Sequence, residues 1–185
     1  MRVIAGRAGG VRLAVPKAGV RPTMDRVKAA IFSSLGDVII GARILDLFAG
    51  SGALGIEALS RGAASALFVD EDRQSIFTIE KNLAKAKFQA RVRKQDVFDF
   101  LRSLSSSERF RVIFADPPYE RMESGTGYTE KLLSCQTLRE ILDSQGFFVL
   151  EKHPSEKIQE PELWRIVRAK TYGATEVLFL QGANR

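Results

Sequence analysis

The sequence holds one cysteine, Cys135, and one histidine, His153. A single cysteine excludes a disulfide within the chain and points to a reducing compartment. The two residues together are too few for a Cys/His zinc site. Cys135 reads as a filler in a helix. His153, just past an expected strand, reads as a surface or packing residue rather than a catalytic one. No apolar run approaches the roughly 18 residues of a membrane span. The basic N-terminus lacks the apolar stretch of a signal peptide. These absences predict a cytoplasmic chain that does not enter a membrane. Internal repeats and low-complexity linkers are also missing. With 185 residues and 45% apolar content, the chain has enough material for one core, with room for a small appendage.

What is present is unevenly placed. The formal net charge is +6. Residues 1–43 hold eight basic residues and only two acids, Asp25 and Asp37, so this quarter carries the whole excess. A polyanion gripped by this quarter is the direct reading. A solvated basic face is the alternative.

The order of elements is readable from periodicity. Residues 2–5 and 11–15 flank a Gly-rich loop and read as a β-hairpin. After a Pro-bounded loop, Thr23 is a plausible N-cap for a helix ending at Leu35. Met24, Val27, Ile31 and Leu35 give it an apolar stripe, and Gly36 a stop. From Arg43 the chain alternates. Strands are expected near 43–49, 65–70, 90–94, 110–115 and 146–151, and helices near 53–61, 72–86, 96–104 and 128–143. Such alternation predicts an α/β, doubly wound, Rossmann-like parallel sheet. Residues 163–172 and 175–180 read instead as an antiparallel pair closing it. The hairpin and helix of residues 1–42 form an extension, and residues 43–185 the main domain.

Two constellations carry chemistry. The apolar run from Ile44 leads into Gly50, Gly52 and Gly55, then a helix. Strand, glycine turn and helix form the layout that holds a nucleotide-like ligand. Asp70 ends the next apolar run, where a carboxylate can accept from both hydroxyls of a ribose. That pattern suits NAD as well as S-adenosylmethionine. Asp46 lies inside the first strand, where it suits a cationic methionine tail and would repel a pyrophosphate. Asp96, after the third strand, can accept from an adenine amine or cap the following helix. Asp72 reads as the N-cap of the helix before it.

The second constellation is Asp116-Pro117-Pro118-Tyr119, at the expected carboxyl end of the fourth strand. Prolines present carbonyls and no N–H. A carboxylate with a proline carbonyl can accept both hydrogens of an –NH₂ group, and Tyr119 offers a face for stacking. That arrangement suits methylation of an exocyclic amine on a planar base. Alignment of the reacting atoms supplies most of the rate, and no metal is required. Asp-Pro and Pro-Pro are also ordinary turn signals.

Taken together, these motifs resemble the class I S-adenosylmethionine-dependent methyltransferases with a D/N-P-P-Y signature. Residues 2–6, 21–28 and 46–55, with Tyr172-Gly173-Ala174-Thr175, resemble more narrowly the RsmD-type bacterial enzymes. That resemblance implies a seven-stranded sheet with its last pair reversed. It implies transfer of methyl from S-adenosylmethionine to the N2 amine of a guanine in 16S rRNA, with S-adenosylhomocysteine as product. The partner would be the assembling small ribosomal subunit, met by a monomeric enzyme. Carried over by position, Asp46, Phe48, Gly50, Ser51, Gly52, Asp70, Glu71, Asp96 and Val97 would hold the cofactor. Residues Asp116 to Tyr119 would hold the target base. Arg2, Arg12, Arg21, Thr23, Arg26 and Lys28 would meet RNA. The family often has Arg-Gly-Arg in the hairpin, whereas this chain has Gly10-Val11-Arg12, so one basic contact is missing or displaced. The alternatives are an amino-methyltransferase acting on DNA adenine or cytosine or on protein glutamine, a dinucleotide oxidoreductase, and an RNA-binding module without activity.

Overall fold

Strands buried on both faces need continuous apolar runs, and the run from Ile44 provides one. Ile44 enters one core layer, and Leu45 and Leu47 enter the other. A computed structural model describes residues 1–16, 25–105, 107–118, 127–158 and 161–183. Arg21, Thr23, Met24 and Tyr119 lie outside these ranges. The strands are β1 (Arg43–Leu47), β2 (Ser65–Asp70), β3 (Arg91–Lys94), β4 (Phe110–Ala115), β5 (Leu142–Lys152), β6 (Trp164–Tyr172) and β7 (Thr175–Gly182). They form one seven-stranded sheet in the order β3-β2-β1-β4-β5-β7-β6. The first five are parallel, and β7 runs antiparallel to both of its neighbours. Helices α1 (Asp25–Leu35), α2 (Ala53–Ser60) and α3 (Arg73–Ala86) contribute to the core on one face. Helices α4 (Val97–Ser103), α5 (Tyr128–Leu133) and α6 (Gln136–Ile141) pack on the other. The doubly wound architecture with its reversed last pair is the expected one.

Three local expectations change. The helix expected over 128–143 is two short helices. Cys135 takes an extended conformation between them, with ψ of 105°. β5 then starts at Leu142, which pairs with Phe110 before the register with β4 shifts. α1 ends at Leu35 before Gly36, as expected, but an unforeseen 3-10 turn follows over Gly36–Ile39 and buries Ile39. The stripe on α1 is as expected at Val27, Ile31 and Leu35, and it is widened by Phe32 and Lys28.

The third change is the hairpin. Its ladder shrinks to a single bridge between Arg2 and Arg12. Val3 N–H donates to the Val11 carbonyl and Gly10 N–H to the Val3 carbonyl, both at 2.9 Å. Beyond that point the donors are used elsewhere. Ile4 and Ala5 donate to the two carboxylate oxygens of Glu57, at 2.7 and 3.1 Å. Arg7 donates to the Ser60 carbonyl at 2.8 Å, and Ala8 to the Ser60 hydroxyl at 2.9 Å. The segment therefore docks on α2 instead of extending a ribbon.

Glu57 also corrects the reading of Lys28. The lysine is fully buried, and its Nζ donates to Glu57 at 3.0 Å and to the Arg2 carbonyl. It is an internal counter-ion and takes no part in the basic surface. Arg61 completes the set, donating from Nε to Glu57 at 2.8 Å.

Removing one partner of a buried pair leaves the other charged and unsolvated. Glu57→Ala should therefore cost about 3–5 kcal/mol of stability. Denaturant titration of the full chain measures this. A loss below about 1 kcal/mol, the scale of an exposed pair, would show that Lys28 finds water or another acceptor.

Candidate active site

The strand order brings residues far apart in sequence to one edge. β1 is flanked by β2 and β4, so the chain reverses its direction of winding there. Open α/β sheets bind ligands at such a point, beyond the carboxyl ends of the strands. Reading along that edge, Asp96 follows β3, Asp70 ends β2, the glycine turn follows β1, and Asp116 follows β4. Neighbouring strands lie ~4.8 Å apart, so Asp96 and Asp116 are about 14 Å apart across the row. An elongated ligand fits that span better than a compact one.

The turn is built by backbone geometry. Gly52, at φ of 74°, occupies the left-handed region at the N-cap of α2. Gly55 N–H donates to Asp46 Oδ2 at 2.9 Å. A Cβ on Gly55 would come within 2.3 Å of the Phe68 ring, so only glycine lets α2 lie this close to β2. Gly50 N–H donates to Asp70 Oδ2 at 2.8 Å, and Asp72 N–H to Asp70 Oδ1 at 2.9 Å. Each carboxylate oxygen keeps further acceptor capacity. Phe48, between β1 and the turn, holds φ of 54°, an uncommon value for a residue with a side chain.

The electrostatics have one sign. Burial pushes the Asp46 carboxyl from its ordinary 3.8 up to about 8. The Gly55 N–H opposes that rise, while the nearby Asp116 and Asp70 charges reinforce it. Burial raises Asp70 too, against the pull of the Gly50 and Asp72 N–H groups. A cleft of crowded carboxyls favours a ligand that brings positive charge.

A family profile described as "Conserved hypothetical protein 95" matches residues 1–181. The ribosomal RNA small subunit methyltransferase D of Escherichia coli (strain K12) is 36% identical over 94% of this chain and 85% of its own length. The chain belongs to the RsmD family. A Bacillus subtilis (strain 168) protein, YlbH, provisionally named an rRNA methyltransferase, is 41% identical and covers 96% of both chains. Among solved structures, Escherichia coli yhhF, provisionally named a methyltransferase, superposes with a TM-score of 0.82. It is 34% identical and covers 98% of this chain and 97% of its own.

Within this RsmD-family fold the expected cofactor residues separate by environment. Asp46, Gly50, Ser51, Gly52 and Asp70 meet around the turn. Ser51 is nearly buried, and its carbonyl accepts from Asn82 at 2.9 Å. Asp96 is the N-cap of α4, accepting from Asp99 N–H at 2.9 Å, and Asp72 caps α3 through Ser75 N–H at 2.8 Å. Glu71 is exposed beside Asp70. The Val97 side chain is buried in the core, which leaves only its backbone for a ligand. Pro117 is buried and Pro118 exposed after β4. His153 follows β5, is half-buried, and its Nδ1 lies 2.6 Å from the Ser155 hydroxyl.

Beside the expected Phe48, the sequence reading missed two aromatic residues, Phe98 and Tyr128. Phe98 and Tyr128 stack at 6.1 Å with their planes 8° apart, and Phe48 meets the Tyr128 ring edge-on at 5.4 Å. Phe98 follows Asp96 by two residues, which was a usable signal. Tyr128 is remote in sequence, and nothing local marked it.

The raised Asp46 carboxyl has a consequence for stability. A group whose folded value lies above its unfolded value stabilises fully below the unfolded value, and that contribution is lost as pH rises through the folded value. Here the window runs from near 3.8 to about 8. Asp46→Asn keeps an acceptor for Gly55 and removes the titration. Stability measured across that window should fall less steeply in the variant, by about one proton's worth of slope. Parallel curves would place the proton on another group.

Proposed function

We propose that this RsmD-family chain transfers a methyl group from S-adenosylmethionine to the exocyclic N2 amine of a guanine in 16S rRNA. The observation that carries this reading is the position of Asp116-Pro117, one strand from the glycine turn on the carboxyl edge. The names of the relatives point to the same class of substrate. The residues present fit the cofactor. Asp70 would take the ribose hydroxyls, Asp96 with the backbone at Val97 the adenine, and Asp46 with the N–H groups of the turn the amino-acid tail. The buried Asp46 carboxyl is the group that a cationic tail would return to its charged form. When bound, the cofactor supplies an electrophilic methyl group.

This chain's own part is orientation. An aryl amine is a poor nucleophile, because its lone pair is delocalised into the ring. The Asp116 carboxylate and the Pro117 carbonyl, accepting its two hydrogens, would turn the nitrogen towards sp³ geometry and free the lone pair. Tyr119, next in sequence, would support the base by stacking. Extrusion of the base costs a few kcal/mol, which contacts with phosphate must offset. The extension of residues 1–42 is proposed for that role. Arg2, Arg12 and Arg26 are exposed on it, and Arg21 and Thr23 belong to the same segment by sequence. The substrate would be the assembling small subunit, met in the bacterial cytoplasm by a monomer. Among the described residues, no helix is long and apolar enough to cross a membrane.

Two variants test the two halves of the site. Asp70→Ala should weaken S-adenosylmethionine binding by roughly 1.5–3 kcal/mol, the scale of hydrogen bonds to a charged group. Calorimetric titration reads this, and unchanged affinity in a folded variant would remove Asp70 from the site. Asp116→Ala should slow single-turnover methylation of unmodified small subunits by about 10²-fold, while cofactor affinity changes far less. Mapping the product decides the target. Methyl groups on adenine, cytosine or protein glutamine, or a near-wild-type rate for the variant, would overturn the guanine-amine reading.

A further inference from the structure

β6 is an edge strand of the sheet, and all its residues but Trp164 and Tyr172 are exposed. Strand residues normally alternate between faces. Simple alternation would put Arg165 on one face and Arg168 and Lys170 on the other. The structure does something else. The register against β7 shifts between Ile166 and Arg168, a β-bulge that absorbs Val167. After it Arg168 stands opposite Phe179, Lys170 opposite Val177 and Tyr172 opposite Thr175, while Arg165 stands opposite Gln181. Residues directly opposite in an antiparallel pair share a face. Phe179 and Val177 belong to the layer that includes α1, α2 and α3, so all three cations lie on that face. The bulge gathers them into one stripe.

Among the described residues the stripe has no counter-ion. Arg165 donates to the Gln181 amide oxygen at 2.9 Å, and among the described residues none of the three makes an ion pair. Among the described residues the nearby acids are otherwise placed. Glu176 pairs with Lys152 at 2.6 Å, Glu151 is buried two strands inward, and Glu162 precedes the strand. The Tyr172 end of the stripe lies at the carboxyl edge of the sheet, because β7 there pairs Glu176 with Lys152 at the end of β5. The stripe therefore starts level with the cleft and runs away from it. Ile166 and Val167 are exposed by 39% and 40% on the same strand, Ile166 on the other face, opposite Leu180.

We propose that Arg165, Arg168 and Lys170 form a second contact for the phosphate backbone of the RNA, leading from the cleft along β6. This rests on the rRNA reading above. A regularly spaced row of cations on an extended strand suits a polyanion with a repeating charge. Cations and a bulge also guard an edge strand against pairing with other chains, and the experiment separates the two roles.

The measurement is affinity of the full chain for a 16S rRNA transcript as a function of salt. Three proteins are compared: wild type, Arg165→Gln/Arg168→Gln/Lys170→Gln, and the charge-keeping Arg165→Lys/Arg168→Lys. Loss of three contacts should make the logarithmic salt slope shallower by about two, at about 0.7 per single-strand phosphate. The lysine variant should keep the wild-type slope, which also controls for folding of the altered strand. A glutamine variant with wild-type slope and affinity overturns the proposal. If it also self-associates, the stripe is an edge guard only. A wild-type protein that binds S-adenosylmethionine but shows no salt-dependent RNA binding would overturn the proposal together with the rRNA reading, whereas the first result leaves that reading intact.

Discussion

One buried carboxylate, Glu57, holds the first segment of the chain to the rest. It is fully buried and accepts from the backbone of Ile4 and Ala5 and from the side chains of Lys28 and Arg61. An isolated carboxylate there would be prohibitively costly, and four donors make the position tenable. The consequence reaches beyond stability. Glu57 sits on α2, the helix that begins at the glycine turn. The N-terminal segment and α1 are thus fastened to the element that shapes the cleft. Their position relative to the site is set by directional bonds as well as by apolar packing, which alone would allow sliding.

The cleft depends on the opposite arrangement. Around the turn, carboxyls are placed near one another with few cations. Asp46 is buried, bonded to one N–H and close to the charges of Asp116 and Asp70, and its carboxyl is held protonated well above its ordinary range. That is a local cost in the free protein, of the kind that functional sites carry. A ligand bearing positive charge relieves it, and a pyrophosphate would add to it. This electrostatic argument separates the S-adenosylmethionine reading from the dinucleotide reading, which the glycine spacing alone leaves open.

The sequence made the fold legible wherever the pattern was long and apolar. Five strand positions, the closing pair and the helices α2, α3 and α4 follow from alternation, and the caps Asp72 and Asp96 from residue type. The row Asp96, Asp70, Gly52 and Asp116 was also legible, because strand order follows from topology once the strands are known. Features set by partners distant in sequence were not. Lys28 falls in register with Ile31, Phe32 and Leu35 on the apolar face of α1, yet its residue type alone reads as a surface cation. Its place was fixed by Glu57, 29 residues on. The hairpin failed for the same reason, with its donors taken by α2. The early start of β5 reflects pairing of Leu142 with Phe110, a contact between elements. Tyr128 reached the site because α5 follows the Asp116 loop, which no local spacing encodes.

Counting charge along the chain and locating it on the surface give different answers here. By sequence, the whole excess of +6 lies in residues 1–43. In the fold, Lys28 is neutralised inside the protein, Arg2 lies 3.8 Å from Asp25, and Arg43 pairs with Glu108. The N-terminal quarter is thus less positive towards solvent than its composition suggests. The rest of the chain balances to zero by count, yet it does not balance in space. Asp72 and Asp96 cap helices, Asp46, Asp70 and Asp116 lie at the cleft, and Glu108 and Glu176 form ion pairs, while Arg165, Arg168 and Lys170 of β6 are exposed. β6 is one of the two edge strands and has a neighbour on one side only, and its bulge sets the three cations on a common face. An anionic partner responds to that spatial distribution, and net charge per segment is a poor guide to it. The field outside this protein therefore extends along the β6 edge as well as over the N-terminal segment.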